Sequence, residues 1–215
     1  AQATGEADVK KVNPVGKEKA KEAIQAELTK KEAEIEGNNQ LSQAEKDSAK
    51  ADARAKAQAQ KEAIDQQPAN AETPEEATKA QTAVTTAQAT GEADVKKVNP
   101  VGKDKAKAAV DAALAEKDKA IDANDKLSDA EKSAAKDEAK KAADEAKKAI
   151  DAATDQAGVA AKATEGTEAV AAVNPVGKDK AKAAVDAALA EKDKAIDAND
   201  KLSDAEKSAA KDEAK

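Results

Sequence analysis

Residues 98–140 and 173–215 of this chain are the same sequence, letter for letter. Residues 1–17 and 87–103 also match throughout. The string Val-Asn-Pro-Val-Gly-Lys marks the period, beginning at Val12, Val98 and Val173. A chain that repeats itself this closely folds as tandem copies of one small unit, each of which leans on its neighbours for burial. Two units are complete, 12–97 and 98–172. Residues 1–11 read as the tail of a preceding repeat, and 173–215 as a partial third. The first residue is Ala, so the sequence reads as an internal piece, with any targeting segment outside it.

The two complete units differ by 11 residues, and the difference has a location. Ile64 and Val84 lie farther apart than their counterparts Ile150 and Val159, whereas Val84 and Val159 stand equally far from the next signature. The first unit therefore carries an insert near 66–83. Pro68 and Pro74 predict that part of it is loop.

Each unit reads as three helices. Asn99 is the expected N-cap of the first, with Pro100 at the first helical position, where its missing N–H costs nothing. An apolar stripe follows through Ala106, Val110, Ala113, Leu114 and Ile121, and the helix should end near Asn124, or near Gly37 and Asn38, in a left-handed cap. Ser128 and Glu131 then form a capping box that recurs as Ser42/Glu45 and Ser203/Glu206. Behind it, Ala135, Ala139, Ala142, Ala146, Ala149 and Ala153 form a heptad seam of alanine, blemished in the first unit by Lys56 and Gln60. The third helix continues the spacing with Val159, Ala163, Gly166, Val170 and Val173. Its first-unit counterpart is Val84, Gln88, Gly91, Val95 and Val98, opened by Thr73-Pro74-Glu75-Glu76. Gly166 and Gly91 predict close approach of two helices. Only Asn174 and Pro175 would separate the third helix from the next first helix, which predicts a kinked continuation in roughly the same direction. The expected fold class is all-α: tandem three-helix-bundle (spectrin-like) repeats joined end to end into an elongated rod. A fragment of this length would then span on the order of 100 Å.

Composition bears on chemistry. The chain has no His, Cys, Met, Phe, Trp or Tyr. That removes the usual base near neutral pH, the thiol nucleophile, the Cys-based zinc site and the aromatic platform for bases or sugars. The 37 basic and 44 acidic residues are interspersed, without the basic stripe that nucleic-acid binding needs. No apolar run approaches a membrane span. Three groups of residues could still suggest a site. Lys117, with Lys31 and Lys192, falls on the apolar stripe; its stem should lie along the seam and its ammonium reach water. The acid pairs Asp137-Glu138 and Asp144-Glu145 read as solvated helix faces with i,i+4 ion pairs rather than calcium ligands. Ser128 reads as a cap, since no base accompanies it. The expectation is no catalytic, cofactor-binding or metal site, no cofactor, and no enzyme.

The Ile121-Asp122-Ala123-Asn124 turn with Leu127-Ser128-Asp129-Ala130-Glu131-Lys132, the Ala149–Thr154 segment, and Gly166 upstream of Asn174-Pro175 together resemble a helical repeat family of Gram-positive surface proteins, catalogued as a domain of unknown function. That resemblance implies a giant extracellular matrix-binding protein or biofilm-associated adhesin, anchored in the cell wall. There the repeats would be a non-catalytic stalk projecting a distal adhesive domain, and the chain a monomeric rod whose partners are its neighbouring repeats. The alternative expectation is a helical module that binds a host matrix or serum protein, such as albumin, immunoglobulin or fibronectin. A desiccation- or ice-related Ala/Lys-rich protein is a third, less consistent with capping boxes that specify discrete helices.

Overall fold

The computed structural model describes residues 12–215. The expected repeat tail at 1–11 lies outside the described residues. Within them the chain is all-α apart from one two-residue strand pair. It divides into two compact units, one ending at Lys105 and the other beginning at Ala106.

The first unit holds α1 (Glu18–Gly37), α2 (Gln43–Asp65) and α3 (Pro74–Lys96), with β1 (Asn13–Pro14) and β2 (Asn70–Ala71). The three helices pack on one another around Ile24, Leu28, Ile64, Val84 and Val95, with Leu41 closing the end at the α1–α2 turn. Alanines fill the space between them: Ala49, Ala53 and Ala57 of α2 are all buried. In the second unit, α4 (Asp104–Ala123), α5 (Asp129–Ala152) and α6 (Gln156–Ala172) repeat the pattern, followed by the helical hairpin α7 (Asp179–Asp197) and α8 (Asp204–Ala214). The first eight residues of the second sequence repeat, 98–105, fall in the first spatial unit. Among the described residues no helix is long and apolar enough to cross a membrane.

Helix starts that carry a polar side chain of their own are placed as the sequence predicts. Ser42, Ser128 and Ser203 cap α2, α5 and α8 in full capping boxes, and Thr73 caps α3 ahead of Pro74. Asp155 caps α6 by accepting from Gly158 N at 2.7 Å.

Four expectations are corrected. First, Asn99 does not cap a helix and Pro100 does not open one. The signature stays extended, and helices begin at Glu18, Asp104 and Asp179, on the far side of the glycine. The residue before a proline is pushed out of the helical region, so Asn99 and Asn174 favour extended chain. Six residues, not two, therefore separate α6 from α7. Second, among the described residues none has positive φ, so the first helices do not end in left-handed caps. Asn38 is extended at φ −77°, and its side-chain oxygen accepts from Gln40 N at 2.9 Å; Asn124 and Asn199 do the same for Lys126 N and Lys201 N. The exposed carbonyls are met by lysines of the following helix: Lys46 Nζ reaches Glu36 O, and Lys132 Nζ reaches Asp122 O. Third, the alanine seam of α5 runs Ala135, Ala139, Ala143, Ala146, Ile150, not through Ala142, Ala149 and Ala153. A straight helix of 3.6 residues per turn drifts off a heptad, and burial of Ile150 fixes the direction of drift. Fourth, Lys56, counted as a blemish at the counterpart of Ala142, therefore lies off the seam, where it pairs with Asp52 at 2.8 Å.

The insert divides between loop and helix. The α2–α3 connection runs 66–73 against 153–155 in the second unit, and α3 has 23 residues against 17 for α6. Its loop folds back on the first signature: β1 and β2 pair antiparallel, Asn13 with Ala71, and Val15 N donates to Ala69 O at 3.0 Å.

Both seam glycines are at close helix contacts. A Cβ on Gly166 would overlap the Ala146 Cβ, which cannot rotate aside. A Cβ on Gly91 would meet the end of the Ile24 side chain at 2.9 Å, a group with freedom to move, and Gln60 Cβ at 3.0 Å. Overpacking costs roughly 1–3 kcal/mol, against about 1 kcal/mol of helix propensity gained by Gly→Ala. Gly166→Ala should therefore lower the melting stability of its unit by about 1–2 kcal/mol. Gly91→Ala should cost distinctly less. Thermal melts of the two variants check the order.

Candidate functional site

The most elaborate polar arrangement lies where the αα turn of one repeat meets the signature of the next. In the second unit it centres on the capping box of α5. Glu131 N donates to Ser128 Oγ at 3.2 Å, and Ser128 N donates to Glu131 Oε2 at 2.8 Å. That leaves Oε1 of the carboxylate. It accepts from Lys178 N at 2.7 Å and Asp179 N at 3.2 Å, the first amides of α7. One glutamate thus serves the N-termini of two helices. The Ser128 hydroxyl spends its proton on Asp179 Oδ2 at 2.7 Å while its lone pair takes the Glu131 amide, so a single hydroxyl also bridges both helices. Lys180 Nζ closes the arrangement on Asp125 O at 2.8 Å. Gly177 lies against the Lys126 carbonyl so closely that any Cβ would collide with it.

The first unit holds the same set. Glu45 Oε2 accepts from Ser42 N at 2.8 Å, and Oε1 from Lys103 N and Asp104 N at 2.6 and 3.1 Å. Ser42 Oγ donates to Asp104 Oδ2 at 2.6 Å, Lys105 Nζ reaches Asn39 O, and Gly102 lies on the Gln40 carbonyl. This clamp explains the corrected helix start. Lys178 is the N-cap residue of α7 and supplies no side-chain cap; a carboxylate 47 residues earlier replaces it.

The electrostatics follow the donor count. Hydrogen bonds to a charged carboxylate favour ionisation. The Lys178 amide and then the Ser128 amide hold Glu131 down to about 2, against the opposing effect of burial. Burial pushes Glu45 up, but the Lys103, Ser42 and Asp104 amides outweigh it and its pKa is lowered. Glu206, in the third capping box, is lowered by the Ser203 hydroxyl and then its amide. There the hydroxyl turns back onto its own glutamate at 2.7 Å.

The residues singled out from sequence are dispersed. Ser128 is a cap, and also the bridge to Asp179. Lys117 does more than place its stem along the seam: its ammonium donates to Ala171 O at 2.6 Å and Val173 O at 2.9 Å, closing the C-terminus of α6. Lys31 pairs with Glu34 at 2.7 Å, and Lys192 lines an open groove beside Ile196 and Leu202. Asp137, Glu138 and Glu145 are exposed, while Asp144 pairs with Lys140 and Lys147. Among the described residues no three acidic side chains are grouped as metal ligands would be. Sequence reading missed the second role of Glu45 and Glu131. The one signal for it was the glycine of Val-Asn-Pro-Val-Gly, which marks a close backbone approach.

Residues 102–176, one full period from signature to signature, match the family described as Domain of Unknown Function (DUF1542). No curated protein matches the chain, and no solved structure does. The matched stretch is thus similar to a helical domain with no assigned activity.

The clamp has an acid signature. Glu131 titrates near its ordinary 4.5 when unfolded and at about 2 when folded. Its contribution to stability is therefore complete above the unfolded value and is lost as pH falls toward the folded one. The melting temperature should drop across that window. The double variant Glu45→Gln/Glu131→Gln should melt lower at neutral pH and show a flatter acid limb. Circular-dichroism melts from pH 7 to pH 2 check both.

Proposed function

We propose that this chain is a non-catalytic structural stalk segment of a bacterial cell-surface adhesin, anchored in the cell wall and holding a distal adhesive domain away from the envelope. In this reading, three-helix units at 12–97 and 98–172, with a third begun at 173–215, follow one another in a spectrin-like rod. The observation that carries it is the clamp itself. Its serine, glutamate, glycine and aspartate recur at the signatures beginning at Val98 and Val173, and the chain's most developed polar chemistry serves helix ends rather than a cavity. A spacer needs length and reliable junctions, and near-identical repeats provide both. The resemblance of these repeats to those of Gram-positive surface proteins is what suggests the cell-surface setting. The interspersed charges and the solvated acid pairs suit a long exposed surface.

Small-angle scattering tests the rod. The expected maximum dimension is on the order of 100 Å, from helices of this length placed end to end. A value near 50 Å, typical of a compact globule of this size, would refute it. A stalk of this kind also couples its units. The isolated 98–172 segment should melt below the same segment within the whole chain, and equal melting would remove the coupling.

A further inference from the structure

Each clamp closes a long stretch of chain behind it. Ser128 and Asp179, joined by their hydrogen bond, stand 51 residues apart in sequence, and Ser42 and Asp104 stand 62 apart. The whole length difference between the two repeats therefore falls inside the closed stretch. The segment in front of it does not vary: α1 and α4 both have 20 residues, and each leads through an asparagine turn to the capping serine. Behind the second clamp lie α5 and α6. They are tied to α4 by the pairs Lys107–Asp151, Asp111–Lys147 and Asp122–Lys136, and by Val110 against Gly166.

Every bond of the second clamp joins the segment Asp125–Glu131 to the start of α7. Glu131 Oε1 takes the Lys178 and Asp179 amides, Ser128 Oγ donates to Asp179, and Lys180 Nζ donates to Asp125 O. A pull passed from one leading helix to the next thus has two routes. The covalent route runs through α5, α6 and Val173. The other crosses from the turn after α4 straight to α7 and leaves α5 and α6 out of the path. We propose that the clamp is a mechanical latch: tension between successive signatures passes through the leading helix and the clamp, and the second and third helices of the repeat stay unloaded until the clamp opens. The bonds suit this task, because they act side by side and those to Glu131 and Asp179 have charged acceptors, which strengthens them. Once the latch opens, tension shifts to Val173 and the end of α6, where Lys117 holds the Ala171 and Val173 carbonyls. Peeling of α6 and α5 then releases the chain behind the clamp, 51 residues or roughly 170 Å when extended. The proposal rests on the stalk reading for the source of the tension.

The chain has no cysteine, so an introduced pair fixes where force is applied. Single-molecule pulling of the whole chain uses two pairs at exposed positions. Ala108→Cys with Ala183→Cys puts the clamp in the path, whereas Ala108→Cys with Ala172→Cys loads α6 directly and leaves the clamp out. At a fixed load, the first pair should unfold at least tenfold more slowly than the second. Glu131→Gln should raise the rate at least tenfold for the first pair and change it less than threefold for the second, with the released length unchanged. Gly177→Ala, which forces α7 off the Lys126 carbonyl and leaves the α5 capping box intact, should do the same. Equal rates for the two pairs, or a first-pair rate indifferent to both substitutions, would overturn the proposal. So would an equal rise in both geometries, which would make the clamp a contributor to general stability alone. The instrument supplies the tension here, so a compact maximum dimension in scattering would remove the stalk and leave this result standing.

Discussion

Everything distinctive about this chain turns on one carboxylate with two oxygens and two clients. A capping box needs a glutamate to satisfy one amide at the start of its own helix. Glu131 does so with Oε2 and turns Oε1 to the first amides of the next repeat's leading helix. A helix N-terminus leaves its first amides without intrahelical partners, and α7 brings no capping side chain of its own. The neighbour's glutamate closes that deficit. The leading helix and the preceding repeat are thereby chemically dependent on each other, although each looks self-sufficient in sequence.

The rest of the architecture accommodates a core with few large side chains. Alanine seams bring the helices close, and glycine brings them closer at Gly91 and Gly166. Little of the interior is polar, so hydrogen-bonding work is pushed to the ends of helices. Asn38, Asn124 and Asn199 form the turns, Lys46, Lys132 and Lys207 cover the carbonyls before them, and Lys117 closes the third helix. Surface ion pairs such as Lys21 with Asp65 add little by comparison, because exposed pairs are well solvated. A chain without aromatic residues thus defines its helices chiefly at their termini.

Local chemistry was legible in the sequence and distant chemistry was not. The capping boxes and the Thr73-Pro74 start have partners within a few residues, and the expected helices stand there. The start of α4 and α7 was misread because its cap comes from Glu45 or Glu131, 58 or 47 residues upstream. Asn99 and Asn174 satisfied the local rule for a cap while the proline beside them favoured extended chain. The α5 seam was misread for a different reason. Alanine is so frequent that a heptad and a 3.6-residue stripe both find matches, and only Ile150 distinguishes them. The insert's location was legible; its pairing with the Asn13–Pro14 segment was not, because two-residue strands carry no periodicity.

The central claim is that one repeat's glutamate caps the next repeat's first helix, and amide hydrogen exchange reads that bond directly. In the intact chain at neutral pH, the Lys178 and Asp179 amides should exchange slowly for residues at the very start of a helix. In the Glu131→Gln chain their protection should fall while that of α6 residues such as Val170 holds. If Lys178 and Asp179 exchange at the rate of unprotected amides in the unaltered chain, the clamp does not form in solution and the account of the junction is wrong.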